Sequence, residues 1–449
     1  YIECGRTNEA PQASENRSLA HLSYPQEKSL SREEALMINR SFQQALLIGT
    51  LILLLFSVAS AQSSRPRRIS PAAKPPEEPL LRPEPKPSPT ARNNPNAPLI
   101  NVQPVKPVVN TNATGDTSHA YQLLQQKQFA AAAKEAKDVA SNYPNDAEAW
   151  KIAGFAELNL KQYSEAAGDL EKAISLQRVA KQEDPNTVDA LAQAYVLSEK
   201  FEQALPLLVT ATTRTGAQPD ASMLYYRALS EYKMGKAADA ERTFNSVVKL
   251  NPKDSLSLFY LGQLALAKND LDGAVAALNR ATLNDSRMAS AWTLLTSVYL
   301  RRAALSTDTA KADADYLNAV RAGEGLIKVR TDAEALTLFG QALIGSAQYA
   351  RAAAALERAV LGSEAKGVSF YLLGVAHSRA KNFPKAITAL ESAAAKTPDD
   401  VNVYRELGYA YEVSKQYAKA LAAYTKGSNL APADTDFKES IERVRPFAK

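Results

Sequence analysis

The sequence is poor in the residues that usually build disulfide frameworks, metal centres and histidine-based active sites. It contains one cysteine and three histidines in 449 residues. Cys4 alone can form neither a disulfide framework nor a thiolate metal site within the chain. His21, His119 and His377 lie far apart in sequence and show no ligand or triad spacing. A disulfide scaffold is excluded, and we predict no metal site.

Signatures of phosphate-binding or carboxylate-based chemistry are also missing. The Gly-Glu-Gly stretch at residues 323–325 lacks both a following glycine and a preceding strand, so it does not predict a phosphate loop. Paired carboxylates such as Asp399 and Asp400 fall at predicted turns, where they typically cap helices. We therefore predict that the protein is not an enzyme and has no catalytic residue, cofactor or small-molecule substrate.

Long apolar runs are equally rare, and the only marked one covers residues 45–58. It is shorter than the roughly 20 residues that a membrane-spanning helix needs. It follows Met37 and precedes Ala59 and Ala61, whose small side chains suit the two specificity pockets of a signal peptidase. We predict a signal peptide at residues 37–61, cut after Ala61, and hence export to the bacterial periplasm or cell envelope.

Residues 1–36, which precede Met37, are polar and without periodicity, and we interpret them as a non-native leader or a disordered extension. An uncleaved apolar segment is the alternative. Arg65, Arg67 and Arg68 follow the run, and positive charge tends to remain on the cytoplasmic side of a membrane. In this alternative, residues 45–58 anchor the protein in the inner membrane with the repeats outside.

The net charge of +5 has a local origin. Residues 65–110 contain eight basic and three acidic side chains, together with 13 of the 24 prolines. Because proline fixes one backbone torsion and removes a hydrogen-bond donor, we predict an extended linker over residues 62–112. The remainder of the chain is nearly neutral, so we expect no nucleic-acid partner.

Beyond the linker, the sequence repeats every 34 residues. Five matched pairs at this offset are Gly374 and Gly408, Leu373 and Leu407, Phe383 and Tyr417, Ala386 and Ala420, and Pro398 and Pro432. Apolar residues at three- and four-residue spacing predict two amphipathic helices in each unit. The breaks between them fall at pairs such as Lys161-Gln162, Lys381-Asn382 and Lys415-Gln416. Small residues at the eighth and twentieth places indicate close approach of the two helices.

This pattern resembles the tetratricopeptide repeat family over about three quarters of the chain. The resemblance implies an all-α fold, a right-handed superhelical solenoid of helix-turn-helix units. We place nine units at residues 113–146, 147–184, 185–220, 221–254, 255–288, 289–332, 333–366, 367–400 and 401–434. A capping helix is predicted within residues 435–449. The sixth unit contains an insertion at residues 307–314, which is either a specificity feature or a neutral loop.

In tetratricopeptide proteins the second, fifth, ninth and twelfth places of each unit line a concave groove, and the resemblance implies the same here. The predicted groove residues are Lys151, Phe155, Tyr225, Tyr232, Phe259, Gln263, Tyr371, Arg405 and Tyr409. Aromatic and arginine side chains dominate contact energies between proteins, so we expect peptides or partner helices to bind. The alternative is that about half of these aromatic residues are ordinary core, as first-helix aromatics often are.

The order of signal, linker and repeats leads to one main hypothesis and two alternatives. The main hypothesis is an exported scaffold that binds other proteins or peptides of the cell envelope. The first alternative is an inner-membrane-anchored assembly factor that associates with the membrane through residues 45–58. The second is a regulatory subunit of an enzyme complex whose catalytic chain is a different polypeptide.

Overall fold

The computed structural model describes residues 115–214, 220–362 and 365–448, and these residues form α-helices without β-strands. Nine antiparallel helical hairpins follow one another along the chain. Their first helices are α1 (Ser118–Gln125), α3 (Ala147–Asn159), α5 (Pro185–Leu197), α7 (Ala221–Lys233), α9 (Ser255–Ala267), α11 (Ala289–Leu305), α13 (Ala333–Gly345), α15 (Gly367–Arg379) and α17 (Val401–Val413). The predicted all-α solenoid is confirmed.

The second helix of each hairpin packs against the first. These helices are α2 (Phe129–Asn142), α4 (Tyr163–Val179), α6 (Phe201–Thr212), α8 (Ala237–Leu250), α10 (Leu271–Asn284), α12 (Thr309–Val329), α14 (Tyr349–Ala359), α16 (Phe383–Lys396) and α18 (Tyr417–Leu430). A last helix, α19 (Thr435–Val444), leads into a 3-10 turn at Arg445–Phe447. Phe437 and Val444 of α19 are buried and close the end of the hydrophobic core.

Aspartate caps start most of the first helices. The side chain of Asp146 accepts hydrogen bonds from the backbone N–H groups of Glu148 and Ala149, and Asp400 accepts one from Asn402. Each cap satisfies N–H groups that have no partner within the helix. The helix-capping role predicted for the Asp399-Asp400 pair is therefore confirmed for Asp400.

Three-residue turns join the helices of eight hairpins, and each turn contains one residue with positive φ. These residues are Lys127, Lys161, Glu199, Gly235, Asn269, Ala347, Lys381 and Lys415. A left-handed residue just past a helix end is the usual way to reverse the chain sharply. The breaks predicted at Lys161, Lys381 and Lys415 are confirmed, and the sixth hairpin alone among the nine has a turn without such a residue.

Glycine at the eighth place permits the two helices of a hairpin to touch. A β-carbon added at Gly154 would lie 2.5 Å from Cγ of Leu170, and one at Gly374 would lie 2.4 Å from Cγ of Leu390. Such distances are shorter than van der Waals contact, so any side chain here would push the helices apart. This is the physical reason for the glycine spacing in the sequence.

Tyrosine at the eleventh place joins neighbouring hairpins. The Tyr195 hydroxyl donates to Oε1 of Glu171 at 2.8 Å, and the Tyr299 hydroxyl is 2.9 Å from the Asn279 amide nitrogen, which donates to it. In both cases the partner occupies the same place in the second helix of the preceding unit. These hydrogen bonds fix the third and sixth hairpins to the hairpins that precede them.

The predicted signal cleavage at Ala59 and Ala61, the apolar residues 45–58 and the proline-rich residues 62–112 lie outside the described residues. Within the described ranges, no helix is both long and apolar enough to cross a membrane.

Candidate functional site

The first helices form the inner layer of the array. Neighbouring first helices contact each other in six pairs, namely α1–α3, α3–α5, α5–α7, α11–α13, α13–α15 and α15–α17, whereas no pair of second helices has comparable contacts. A stack of hairpins curves toward the layer whose helices lie closer together. The predicted groove residues therefore belong to the inner layer, and their exposure decides which of them can meet a partner.

Lys151 and Phe155 of α3 are buried. Residues 151–158 are all buried, and Lys151 is 4% exposed. Its Nζ lies 2.7 Å from Oε2 of Glu148 and 3.6 Å from Oδ2 of Asp184. Burial raises the pKa of Glu148, and the nearby ammonium of Lys151 opposes this rise. Lys151 is therefore an internal counter-ion. Burial favours the alternative that Phe155 is an ordinary core residue.

A second buried charge in α3 was not predicted from the sequence. Glu157 is 2% exposed and pairs with Lys137 of α2, whose Nζ also lies 3.5 Å from Oδ2 of Asp169. Burial raises the pKa of Glu157 to about 7, with the Lys137 ammonium acting in the opposite direction. Its position in the repeat could have indicated this, because Glu157 occupies the eleventh place, where Tyr195 and Tyr299 of other units contact the preceding hairpin.

Tyr225 of α7 lies in the core. It is 3% exposed, and its ring centroid is 5.8 Å from that of Tyr226 and 6.1 Å from that of Phe244. Burial raises the pKa of the Tyr225 hydroxyl well above its ordinary value. A partner on the inner face therefore cannot contact the Tyr225 side chain unless the hairpin opens.

Tyr232, Phe259 and Gln263 are brought together and remain half-exposed. The Tyr232 hydroxyl of α7 donates to Oε1 of Gln263 in α9 at 3.2 Å. Tyr260 connects the two rings, with centroid distances of 5.0 Å to Tyr232 and 5.6 Å to Phe259. Three predicted groove residues thus form one accessible cluster of aromatic and amide groups.

The C-terminal groove residues are tied into packing to different degrees. Tyr371 is 8% exposed. Arg405 donates from Nη1 to Oδ1 of Asn402 at 2.8 Å, bonds Asp434, and places its guanidinium 5.0 Å from the ring centroid of Phe437. Its contacts hold α19 against α17, which is a structural role.

Tyr409 is half-exposed, and its ring packs edge-on against Phe383 with the centroids 6.3 Å apart. Tyr409 retains an accessible face on α17, but it is separated along the chain from the cluster formed by Tyr232, Phe259 and Gln263. The structure therefore does not unite all nine predicted groove residues in one site.

The inner layer is packed less closely around α9. Among the helices of the structure described, α9 has no contact with α7 or α11 comparable to that between other neighbouring first helices. The hydrophobic core also divides here, with one cluster ending at Leu264 and the next beginning at Leu266. In α9 itself Leu256, Phe259 and Gln263 are half-exposed at the second, fifth and ninth places.

We call this opening the central window and define it by Tyr232, Phe259 and Gln263 together with Thr293, Ser297 and Arg301 of α11. The last three occupy the fifth, ninth and thirteenth places of the sixth unit and are half-exposed. The Thr293 and Ser297 hydroxyls donate to the carbonyl oxygens of Ala289 and Thr293 at 2.9 and 3.0 Å. Their oxygens remain able to accept hydrogen bonds. Sequence reasoning missed these three residues, although Thr293 and Ser297 occupy the fifth and ninth places, which are groove places; Arg301, at the thirteenth place, lies outside that pattern.

The insertion of the sixth unit lengthens both of its helices. α11 has 17 residues and α12 has 21, against 13 and 14 in α9 and α10. The added hairpin is held at its base because Arg302 donates from Nε and Nη2 to both oxygens of Asp315, at 2.8 and 2.6 Å. Nη1 of Arg302 also donates to Asp272 of α10 at 2.6 Å. Residues 302–315 thus form a rigid extension beside Arg301.

A cavity of about 320 Å³ lies between α7 and α8. It is lined by Leu224, Arg227, Asp239, Arg242, Thr243 and Ser246. Its arginines already have acidic partners, since Arg227 pairs with Glu231 and Arg242 with Asp239. The described residues contain no group of three or more side chains suited to hold a metal ion.

Comparison with known proteins agrees with this architecture. The tetratricopeptide repeat family model matches residues 117–186, 225–291 and 371–432. No curated protein sequence matches the chain.

Three solved structures illustrate the likeness. The C-terminal part of a tetratricopeptide repeat protein from Cytophaga hutchinsonii is 14% identical, with 56% of this chain and 99% of that chain covered and a TM-score of 0.43. YrrB, described as a tetratricopeptide protein with an unusual peptide-binding site, is 20% identical, with 44% and 97% covered and a TM-score of 0.36. MamA from Desulfovibrio magneticus is 21% identical, with 40% and 97% covered and a TM-score of 0.35.

Proposed function

We propose that this chain, which belongs to the tetratricopeptide repeat family, is a non-enzymatic protein-interaction scaffold of the cell envelope that binds peptides or helices on the inner face of its first helices. The observation that carries the proposal is the cluster of Tyr232, Phe259 and Gln263, because accessible aromatic and amide groups sit together on that face. Such side chains supply much of the contact energy in protein complexes.

The envelope assignment is supported by the order of segments in the sequence. An apolar run that ends in Ala59 and Ala61 comes first, a proline-rich segment follows, and the repeats come last. A signal peptide releases such a chain outside the cytoplasm, and an extended linker holds the repeats away from the membrane. Determining the N-terminus of the mature protein tests this assignment, and a chain that begins at Gln62 is the expected result.

A membrane-anchored assembly factor is the second candidate, favoured by Arg65, Arg67 and Arg68 on the far side of the apolar run. It predicts that residues 45–58 are retained and that the protein remains with the membrane after washing at high salt. Recovery of the protein in the soluble envelope fraction with Gln62 as its first residue would eliminate this candidate.

Partner binding is tested by purification of the full-length protein from an envelope fraction. A partner that binds the inner face is expected to be retained by the wild-type chain and lost from the Phe259→Ala variant. Arg287→Glu is the matched control, because Arg287 lies in the turn before α11 and is exposed. Equal recovery of the partner with Phe259→Ala and with wild type would remove the inner face as the binding surface.

A further inference from the structure

The central window has an uncharged floor that extends over three successive first helices. The second, fifth, ninth and twelfth places of α7, α9 and α11 contain no charged side chain. Elsewhere in the inner layer these places include Glu148, Lys151, Glu334, Arg405 and Glu412. A neutral, partly apolar floor of this kind accepts apolar side chains and polypeptide backbone more readily than a charged ligand.

Basic side chains stand at one rim of this neutral floor. Arg301 ends the regular part of α11, and its Nη2 donates to Oδ1 of Asn269 at 2.8 Å. Among the described residues, no carboxylate pairs with Arg301, so its charge meets only an amide. Lys233 occupies the same thirteenth place in α7 and is exposed. A cation at this place also lies close to the helix C-terminus, where positive charge is stabilised.

The dimensions of the window suit an extended segment. Closely packed helices lie about 10 Å apart, and α9 is packed less closely against α7 and α11, so the distance from α7 to α11 is at least on the order of 20 Å. An extended chain rises about 3.3 Å per residue, so roughly six residues span that distance. Gln263 can both donate to and accept from a peptide backbone, and the hydroxyl oxygens of Thr293 and Ser297 can accept from its N–H groups.

These observations lead to a specific occupant. We propose that the central window binds an extended peptide segment that carries a large apolar or aromatic side chain, which packs on Phe259, and a nearby carboxylate, which pairs with Arg301. The guanidinium of Arg301 would form a charge-assisted, two-pronged contact with that carboxylate. This inference rests on the proposed inner-face function and adds the chemistry of its ligand.

The experiment is a selection of random nonapeptides, displayed on phage, against the full-length protein. The expected outcome is enrichment of Phe, Tyr or Leu at one position and of Asp or Glu within three positions of it. A synthetic peptide of the enriched sequence is then measured by fluorescence anisotropy, with Asp replaced by Lys as its counterpart. We expect the Lys peptide to bind at least about tenfold more weakly, as is usual for removal of a charge pair within an interface.

Charge reversal provides the decisive variant. Arg301→Glu should weaken binding of the acidic peptide and strengthen binding of the Lys peptide. Arg287→Glu, a matched charge reversal outside the window, should leave the affinity for both peptides unchanged. Phe259→Ala should weaken binding of both peptides about equally, because it removes the apolar contact that both peptides share. Circular dichroism of each variant establishes that the helices are intact.

Several outcomes overturn the proposal. Enriched peptides without acidic residues, or an acidic preference that survives Arg301→Glu, contradict the role of Arg301. Apolar residues enriched at three- and four-residue spacing indicate a helix as the occupant, and retention of single-stranded DNA in place of peptide indicates a nucleic acid. If the envelope partner is lost with Phe259→Ala but no acidic preference appears, the proposed function stands and this inference fails.

Discussion

Helices α3 and α9 are both the first helix of a repeat unit, but their inner faces differ in charge and in exposure to solvent. α3 buries Glu157, Lys151 and Phe155, and its charged groups pair with Glu148, Asp184 and Lys137. α9 has no acidic or basic side chain, and its Leu256, Phe259 and Gln263 are half-exposed. The contacts of α9 with α7 and α11 are also weaker than those of α3 with α1 and α5.

The comparison shows that position in the repeat does not by itself make a residue part of a binding surface. A fifth-place lysine that is buried beside two carboxylates stabilises the array, because its removal would leave those charges uncompensated. A fifth-place phenylalanine that is partly exposed on a less closely packed helix is available to a partner. We therefore expect substitutions in α3 to change stability and substitutions in α9 to change binding.

The largest expected effect is on stability in α3. Lys151→Ala should lower the free energy of unfolding by about 3 kcal/mol, because it leaves Glu148 and Asp184 without their ammonium partner. Urea denaturation followed by circular dichroism measures this change. A loss below about 1 kcal/mol, within the range of an exposed ion pair, would mean that Lys151 is accessible to solvent.

The next effect is on binding in α9. Phe259→Ala should lower the affinity for the envelope partner about 30-fold, as removal of a central aromatic contact in an interface typically does. The same variant should lower the free energy of unfolding by about 1–2 kcal/mol, because Phe259 is partly exposed but packs against two clusters of the hydrophobic core. Isothermal titration and urea denaturation of one preparation separate the two quantities. A variant that loses stability more than affinity would erase the distinction between α9 and α3.

The contribution of α3 to the free energy of unfolding should depend on pH. Because burial raises the pKa of Glu157 from 4.5 to about 7, the folded state binds a proton more tightly than the unfolded state. Stability is therefore highest below pH 4.5 for this group and declines as pH rises toward 7, by about 1–2 kcal/mol once solvent screening is allowed for. Glu157→Gln should flatten this decline. An equal slope in wild type and variant would contradict the assignment.

The smallest effect concerns the extension beside the central window. Residues 302–315 can be replaced by Ser-Lys-Gln, the turn that joins α17 and α18 at residues 414–416. The replacement removes Arg302 and Asp315 together, so no buried charge is left without its partner. We expect the array to fold and partner affinity to fall about threefold, less than for Phe259→Ala, because the extension borders the window without forming its floor. Unchanged affinity would identify the extension as a neutral surface loop.

The fold was predictable because its determinants are local and repeat every 34 residues. Gly374 and Ala386 each satisfy a packing requirement within a hairpin, so their spacing specifies the architecture. The accessible part of the inner layer was less predictable. Of the nine predicted groove residues, Lys151, Phe155, Tyr225 and Tyr371 are buried.

Exposure of an inner residue depends on how closely successive hairpins approach, and no single unit encodes that distance. The looser packing of α9 against its neighbours is a property of three hairpins together. The ion pair of buried Glu157 with partly exposed Lys137 likewise joins helices of two units, so the spacing within one unit gives no indication of it. The signal peptide, the linker and the cell-envelope location remain predictions from the sequence.

The most direct test of the central window uses thiol protection. With Cys4→Ser the chain has no cysteine, and Gln263→Cys and Gln341→Cys then place single thiols at the ninth place of α9 and α13, both half-exposed. Saturation with the copurified partner should slow alkylation at position 263 at least about tenfold, as expected for a thiol that becomes buried at an interface, and leave position 341 unchanged. Equal protection of both positions, or protection of position 341 alone, would contradict binding at the central window.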